Sequence, residues 1–280
     1  MSNENSKIKK FIPVKNDAIF RIFFADERNE EDLVTLLKSM LQLPEDDYNE
    51  IEISDPHLLR EYDGDKLAII DVKLHTKTKK IIHIEIQLKV TPELEQRIVF
   101  YGAKLITEQL GSGDDYDKIN KVISIIITDG ILIANSPKYH HRFTFYDKDA
   151  DVEFTDILEI HVLELSKLPQ VTDGTELYDW AKFIAAESEE ELDMIAQRNP
   201  QIRNSVVKFR ELSADERVRD MVERREKARR DQASREKFAR QEGKVEGVMS
   251  VAQNLLQMNL PLDQIAKATG LTPADIESLR

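Results

Sequence analysis

Ile81-Ile82-His83-Ile84-Glu85-Ile86-Gln87-Leu88-Lys89 alternates strictly from Ile82 to Leu88, with isoleucine and leucine on one face and His83, Glu85 and Gln87 on the other. A period of two marks a strand with one buried face, so Glu85 and Gln87 project side by side from the opposite face, and Lys89 extends the polar row. Upstream, Leu67 to Leu74 is a second strand-like run, joined through the polar segment His75 to Lys80. The two runs read as a hairpin. Asp71 interrupts the apolar Ile69-Ile70-Asp71-Val72, where an unpartnered carboxylate is costly. A hairpin bringing Asp71 beside Glu85 makes two adjacent anions, which repel each other unless a cation lies between them. Electrostatics alone therefore points to a metal site.

Outward from the hairpin, Asp17 is placed to cap a helix through Phe24, and Glu31 to Leu43 carries a leucine stripe ended by Pro44. Ile51 to Ser54 is a short strand candidate. Glu93 to Leu110 reads as a helix closed by Gly111-Ser112-Gly113, and Lys121 to Thr128, rich in Val and Ile, as a buried strand. Phe143 to Tyr146 and Ile157 to Leu165 are later strand candidates, with His140-His141 in a loop. Helices around and between strands give a mixed α/β layer architecture.

From about Glu176 the β signals vanish, and Leu177, Trp180, Phe183 and Ile184 follow helical spacing until Pro200 breaks the run. Between Arg217 and Glu246 eleven Lys and Arg face seven acids, with too few apolar residues for a heptad seam. A solvated helix laced with ion pairs is the reading, and a DNA-contacting arm is the alternative. Leu260 to Arg280 reads as two short helices, the second opened by Thr272-Pro273-Ala274-Asp275. Their spacing resembles the first two helices of a helix-turn-helix. A docking or oligomerisation element is expected rather than a sequence reader.

The 280 residues allow one or two domains with a sizeable core. The absence of cysteine excludes disulfides, zinc-thiolate sites and thiol nucleophiles. The polar opening Met1 to Lys7 is not a secretory signal, and no apolar run approaches the ~20 residues that span a bilayer. The expectation is a soluble, cytoplasmic protein with no membrane partner. A net charge of −13 argues against coating nucleic acid by bulk electrostatics, yet leaves room for a local positive groove.

Asp71 followed by Glu85-Ile86-Gln87 resembles the Asp…Glu-x-Lys signature of the PD-(D/E)XK nuclease superfamily, with glutamine where lysine is usual. The Glu-x-Gln form is typical of the recombination-promoting nuclease (Rpn) branch, often labelled transposases. Lys15-Asn16-Asp17-Ala18-Ile19-Phe20-Arg21-Ile22-Phe23-Phe24 is similar to that branch's opening helix motif, and Arg97 with Tyr101 to its Arg and Tyr pair. The resemblance covers Phe11 to Leu168. It implies a restriction-endonuclease-like mixed central sheet flanked by helices in a catalytic domain over 1–170, followed by a helical tail over 171–280. It implies a divalent-metal-dependent DNA endonuclease associated with recombination or mobile elements.

Phosphodiester hydrolysis needs charge neutralised on the phosphoryl group, a nucleophile made from water and a stabilised leaving oxygen, all of which a carboxylate-held divalent metal supplies. Hard oxygen ligands favour Mg²⁺ or Mn²⁺. Asp71 and Glu85 are the expected ligands, with the backbone carbonyl of Ile86 the third that the resemblance implies. Gln87 holds the position of the superfamily's catalytic lysine but can only hydrogen-bond, since an amide is no base near neutral pH. Lys73 and Lys89 are candidate substitute cations, or ordinary strand lysines. Asp17 is a candidate third acid as well as a helix cap. Arg97 and Tyr101, four apart on one helix face, either clamp a phosphate or pack together beside the sheet. His83 shares the face of Glu85 without a compelling role. The alternative to the nuclease is a catalytically silent protein of this fold that binds DNA or protein. A homodimer through the C-terminal helices would suit double-strand cutting.

Overall fold

The computed structural model describes residues 11–54 and 71–279. Among them six strands form one sheet: β1 (Glu52–Ser54), β2 (Val72–His75), β3 (Ile81–Ile86), β4 (Val122–Thr128), β5 (His140–Asp147) and β6 (Val152–Glu164). Their spatial order is β1-β2-β3-β4-β6-β5. The β3–β4 and β4–β6 pairs are parallel and the others antiparallel, so the sheet is mixed. Helices flank it: α1 (Asp17–Phe24), α2 (Glu30–Met40), α3 (Asp46–Asn49), α4 (Leu94–Thr107), α5 (Glu176–Ala185), α6 (Glu189–Arg198) and α7 (Pro200–Ala214). The restriction-endonuclease-like α/β architecture is thus present. The expected run Leu67 to Ile70 lies outside the described residues, as does the polar stretch Met1 to Lys7.

The hairpin β2–β3 forms as its pattern requires, Lys73 facing His83 and Leu74 facing Ile82. Its connection is tight: Lys79 takes a left-handed backbone (φ 66°), and Thr76 N–H donates to the Lys80 carbonyl at 3.0 Å. Asp47 of α3 pins the turn, accepting from Thr76 Oγ1 at 3.0 Å and from Lys80 Nζ at 2.8 Å. Continuing the register by one residue sets Asp71 opposite Glu85.

Between the parallel strands β3 and β4 the chain crosses over through α4, as parallel pairing demands. Leu105 of α4 packs with Ile81, Val122 and Leu158, and Leu94 and Ile98 with Ile126. Gly102 allows that close approach. A Cβ there would stand 2.7 Å from Leu158 Cδ1 and 3.2 Å from Ser124 Oγ. Gly102→Val is expected to destabilise the protein by about 1–3 kcal/mol through overpacking, read as a lower urea midpoint with unchanged slope. The helices near the N-terminus meet α5 and α7 in an aromatic cluster of Phe20, Phe23, Phe24, Trp180, Phe183 and Phe209, all fully buried.

Several expectations are corrected. Asp17 is not the helix cap: Asn16 is, its side chain accepting from the N–H groups of Ala18 and Ile19, and Asp17 is the first helical residue. The β3 strand is buried on both faces rather than one, because it is central and α4 covers the row carrying His83 and Glu85. Lys89 does not extend the strand row, since regular structure ends at Ile86 and Lys89 is exposed in the following bend. His140 and His141 lie on β5, not in a loop, because pairing with β6 extends both strands beyond their apolar cores.

The chain divides into two compact units, Met1–Arg219 and Asp220–Arg280. Helices α5 and α7 pack with α1 and α2 inside the first unit. A 42-residue helix, α8 (Glu216–Gln257), has only Val222 and Ala252 buried among its residues, which matches the solvated charged helix read from its composition. In the second unit α9 (Leu262–Thr269) and α10 (Pro273–Glu277) follow, with Gly270 in the left-handed region (φ 75°) ending the one and a Thr272–Asp275 capping box opening the other. The end of α8 supplies the third helix that the pair of short helices needs: Ala252 packs with Ile265 and Ile276, and Leu255 and Leu256 join them. No helix among the described residues is long and apolar enough to cross a membrane.

Candidate active site

Asp71 and Glu85 meet at the end of β3. Asp71 Oδ2 accepts from the Ile86 N–H at 2.8 Å, which ties the acid directly to the Glu-x-Gln segment. Burial, the adjacent Glu85 charge and Asp17 of α1 push its carboxyl up to about 6, against the opposing pull of the Ile86 amide and Arg21. Glu85 is itself buried, and desolvation raises its pKa despite the guanidinium of Arg97 beside it.

Arg97, on the first turn of α4, reaches back over the sheet. One of its Nη2 hydrogens goes to Glu85 Oε1, and Nη2 also donates to Gln87 Oε1 at 2.8 Å. The guanidinium lies 5.7 Å from the Tyr101 ring centre, one helical turn on. Arg97 thus packs beside Tyr101 while it binds Glu85 and Gln87. Gln87 is held at both ends of its amide, because its Nε2 donates to the Lys89 carbonyl at 3.1 Å. A lysine at position 87 could not accept from Arg97, and the two cations would repel.

Glu85 Oε2 is buried and has no hydrogen-bond partner. A native structure seldom leaves a buried carboxylate oxygen unsatisfied, and a bound cation is one of the standard reasons. Among the described residues no cluster of three or more His, Asp or Glu is arranged to hold a metal ion. The carboxylates that the structure brings together here are two, Asp71 and Glu85. That suits Mg²⁺ or Mn²⁺, which bind through one or two carboxylates and keep several waters, better than a metal wanting a full cage of protein ligands.

The accessory residues divide. Asp17 and Arg21 act electrostatically on Asp71, so α1 stands close to the acid pair. Lys73 faces His83 across the hairpin, two residues along from Asp71. Lys89 enters only through its backbone carbonyl. His83 is fully buried, 3.3 Å from Ser124 Oγ, and desolvation lowers its pKa to about 4, so it stays neutral. What the pattern of residues did not reveal was Arg97 as the direct partner of both Glu85 and Gln87. The spacing Glu85 to Arg97 carries no period, and only the packing of α4 on β3 brings the two together.

No curated protein and no solved structure matches the chain. The pattern of the PD-(D/E)XK nuclease family transposases matches residues 14–238, a span that runs from the turn before α1, through the β2–β3 hairpin, and into α8. On that match, which spans more than half of its length, the chain belongs to the PD-(D/E)XK nuclease family transposases.

Proposed function

We propose that the protein is a divalent-metal-dependent DNA endonuclease, acting in the cytoplasm in recombination or on mobile elements, with Asp71, Glu85 and Gln87 as its catalytic residues. The observation that carries this reading is the unpartnered Glu85 Oε2 beside a second acid, Asp71, on a hairpin of nuclease-family pattern. Mg²⁺ or Mn²⁺ bound by Asp71, Glu85 and the Ile86 carbonyl would supply charge neutralisation and an acidified water. The protein's own groups have distinct tasks. Asp71 and Glu85 hold the negative charge that recruits the cation, and the Ile86 N–H fixes the orientation of Asp71. Gln87, locked between Arg97 and the Lys89 carbonyl, hydrogen-bonds rather than acting as a base. Arg97 provides the cation that the superfamily's lysine provides elsewhere, with Tyr101 beneath it. Asp17 and Lys73 are accessory groups at the rim. A homodimer through the C-terminal helices would set two such sites on one duplex, a reading supported by the exposed Phe238, Val245 and Met249 on α8.

A second reading has its own observation. Arg97 already neutralises one oxygen of Glu85, as it would in a silent site that has become a structural ion pair binding DNA or protein without cutting. Calorimetry separates the two. An active site takes up Mg²⁺ or Mn²⁺ weakly, and that heat disappears in Asp71→Ala. A wild type that shows no heat with either metal leaves only the silent reading.

A further inference from the structure

On the sheet face opposite α4, a cavity of about 570 Å³ lies between the end of α2 and the β5–β6 edge of the sheet. Its sheet side is built by alternation: Glu159 and His161 share a face of β6, and Arg142 stands directly opposite His161 on β5. Lys121, just before β4, reaches the same place. Glu159 is the hub. Its Oε2 accepts from Lys121 Nζ at 2.8 Å and from Arg142 Nη2 at 2.9 Å, and its Oε1 is 2.6 Å from His161 Nε2. His161 Nδ1 is in turn 2.9 Å from His140 Nε2, the two rings stacked with centroids 5.1 Å apart.

Burial opposes ionisation of Glu159, but the hydrogen bonds from His161, Arg142 and Lys121 outweigh it and hold the carboxyl well below its ordinary range. An ionised Glu159 accepts from His161 Nε2–H, and His161 Nδ1 shares the next hydrogen bond with His140 Nε2. The other ring nitrogen of His140, Nδ1, belongs to a residue that lines the cavity. Burial lowers the His140 pKa to about 4, so the ring is neutral at physiological pH and offers a hydrogen bond rather than a charge.

The lining residues include three cations, Lys38, Lys121 and Arg142, against the single acid Glu159, in a chain whose net charge is −13. The outer partners of two of them, Glu45 and Asp156, have side chains 73% and 62% exposed, so those ion pairs hold the lysines weakly. Lys38, in the last turn of α2, also offsets the carbonyl end of that helix. Met40 and Leu43 supply an apolar wall. The volume falls within the ~300–1,000 Å³ of small-molecule sites, and the lining is mainly polar, as an anionic ligand requires, with one apolar wall.

We propose that this cavity is a second binding site, for a small phosphate ester of mononucleotide size: phosphate on Arg142, Lys121 and Lys38, a hydroxyl on His140 Nδ1, and the apolar portion on Met40 and Leu43. Titration calorimetry of the full chain in EDTA, with thymidine 5′-monophosphate, inorganic phosphate and thymidine, tests it. The monophosphate is expected to bind, inorganic phosphate to displace it, and thymidine to give no heat. Arg142→Gln and Lys38→Gln, both at part-exposed side chains, are expected to weaken the monophosphate at least about tenfold, or ~1.4 kcal/mol. Glu85→Gln should leave it unchanged. If Arg142→Gln melts below wild type, Lys38→Gln decides. The proposal is overturned if the monophosphate gives no heat with wild type, if both cavity variants bind as wild type does, or if Glu85→Gln abolishes binding.

Discussion

Supercoiled plasmid incubated with the wild-type protein and Mg²⁺ or Mn²⁺ is expected to be nicked, and EDTA to stop the reaction. Asp71→Asn and Glu85→Gln are expected to cut at least about 10³-fold more slowly, because each removes a charge that holds the cation and ~4 kcal/mol of transition-state stabilisation with it. These isosteric changes suit the purpose better than alanine. The asparagine amide of the first variant keeps an oxygen for the Ile86 N–H, and Gln87 keeps its clamp from Arg97 in both. Gln87→Ala should lose far less, about tenfold, as its amide orients rather than transfers a proton. Gln87→Lys, which restores the superfamily's usual residue, should fail to raise the rate, because Arg97 stands where the ammonium would go. Equal cutting by wild type and both acid variants would remove Asp71 and Glu85 from the chemistry.

The same Asp71→Asn variant is expected to be more stable than wild type when no metal is present. Asp71 has a folded-state pKa of about 6 against 3.8 when unfolded, so ionising it above pH 6 costs the folded state free energy. The shift corresponds to an upper bound of ~3 kcal/mol, and partial solvent contact brings the expected gain to about 1–2 kcal/mol. A gain of that size raises Tm by a few degrees. The sign is definite. The penalty is full above pH 6 and fades as pH falls through 6 towards 4, so the two melting curves should converge in acid. Adding Mg²⁺ should reverse the ranking at pH 7.5, since a ligand that binds only the folded wild type stabilises only the wild type. Thermal melts in EDTA and in Mg²⁺, at pH 7.5 and pH 4.5, check all four corners. A variant no more stable than wild type in EDTA would mean that burial beside Glu85 does not penalise the ionised Asp71.

Much of this was legible along the chain. Period-two alternation located β3, the Val and Ile run located β4, and an acid in an isoleucine stretch singled out Asp71. The hairpin register that sets Asp71 against Glu85 follows from those two runs and a short polar connection. What the pattern could not carry was the third dimension of the sheet. His83 and Glu85 look solvent-facing in a strand read alone, and are buried because α4 returns across them. His140 belongs to a strand only because β6 is long enough to pair with it. The helix cap shifted by one residue, Asn16 for Asp17, since both types cap well and only the backbone turn at Pro13 to Asn16 selects between them. The last two helices looked short of a core because their third partner, the turn bearing Ala252, Leu255 and Leu256, belongs to a long helix whose charged middle dominates its composition.

The tight connection between β2 and β3 also has a kinetic consequence. Asp71 and Glu85 are fourteen residues apart and Glu85 and Arg97 twelve, so closing the hairpin and bringing the first turn of α4 back over it are both short-range closures with a small loop entropy. The acid pair, its arginine and Gln87 thus all come from one continuous stretch, 71–97, and assembling them asks for no long-range closure of the chain.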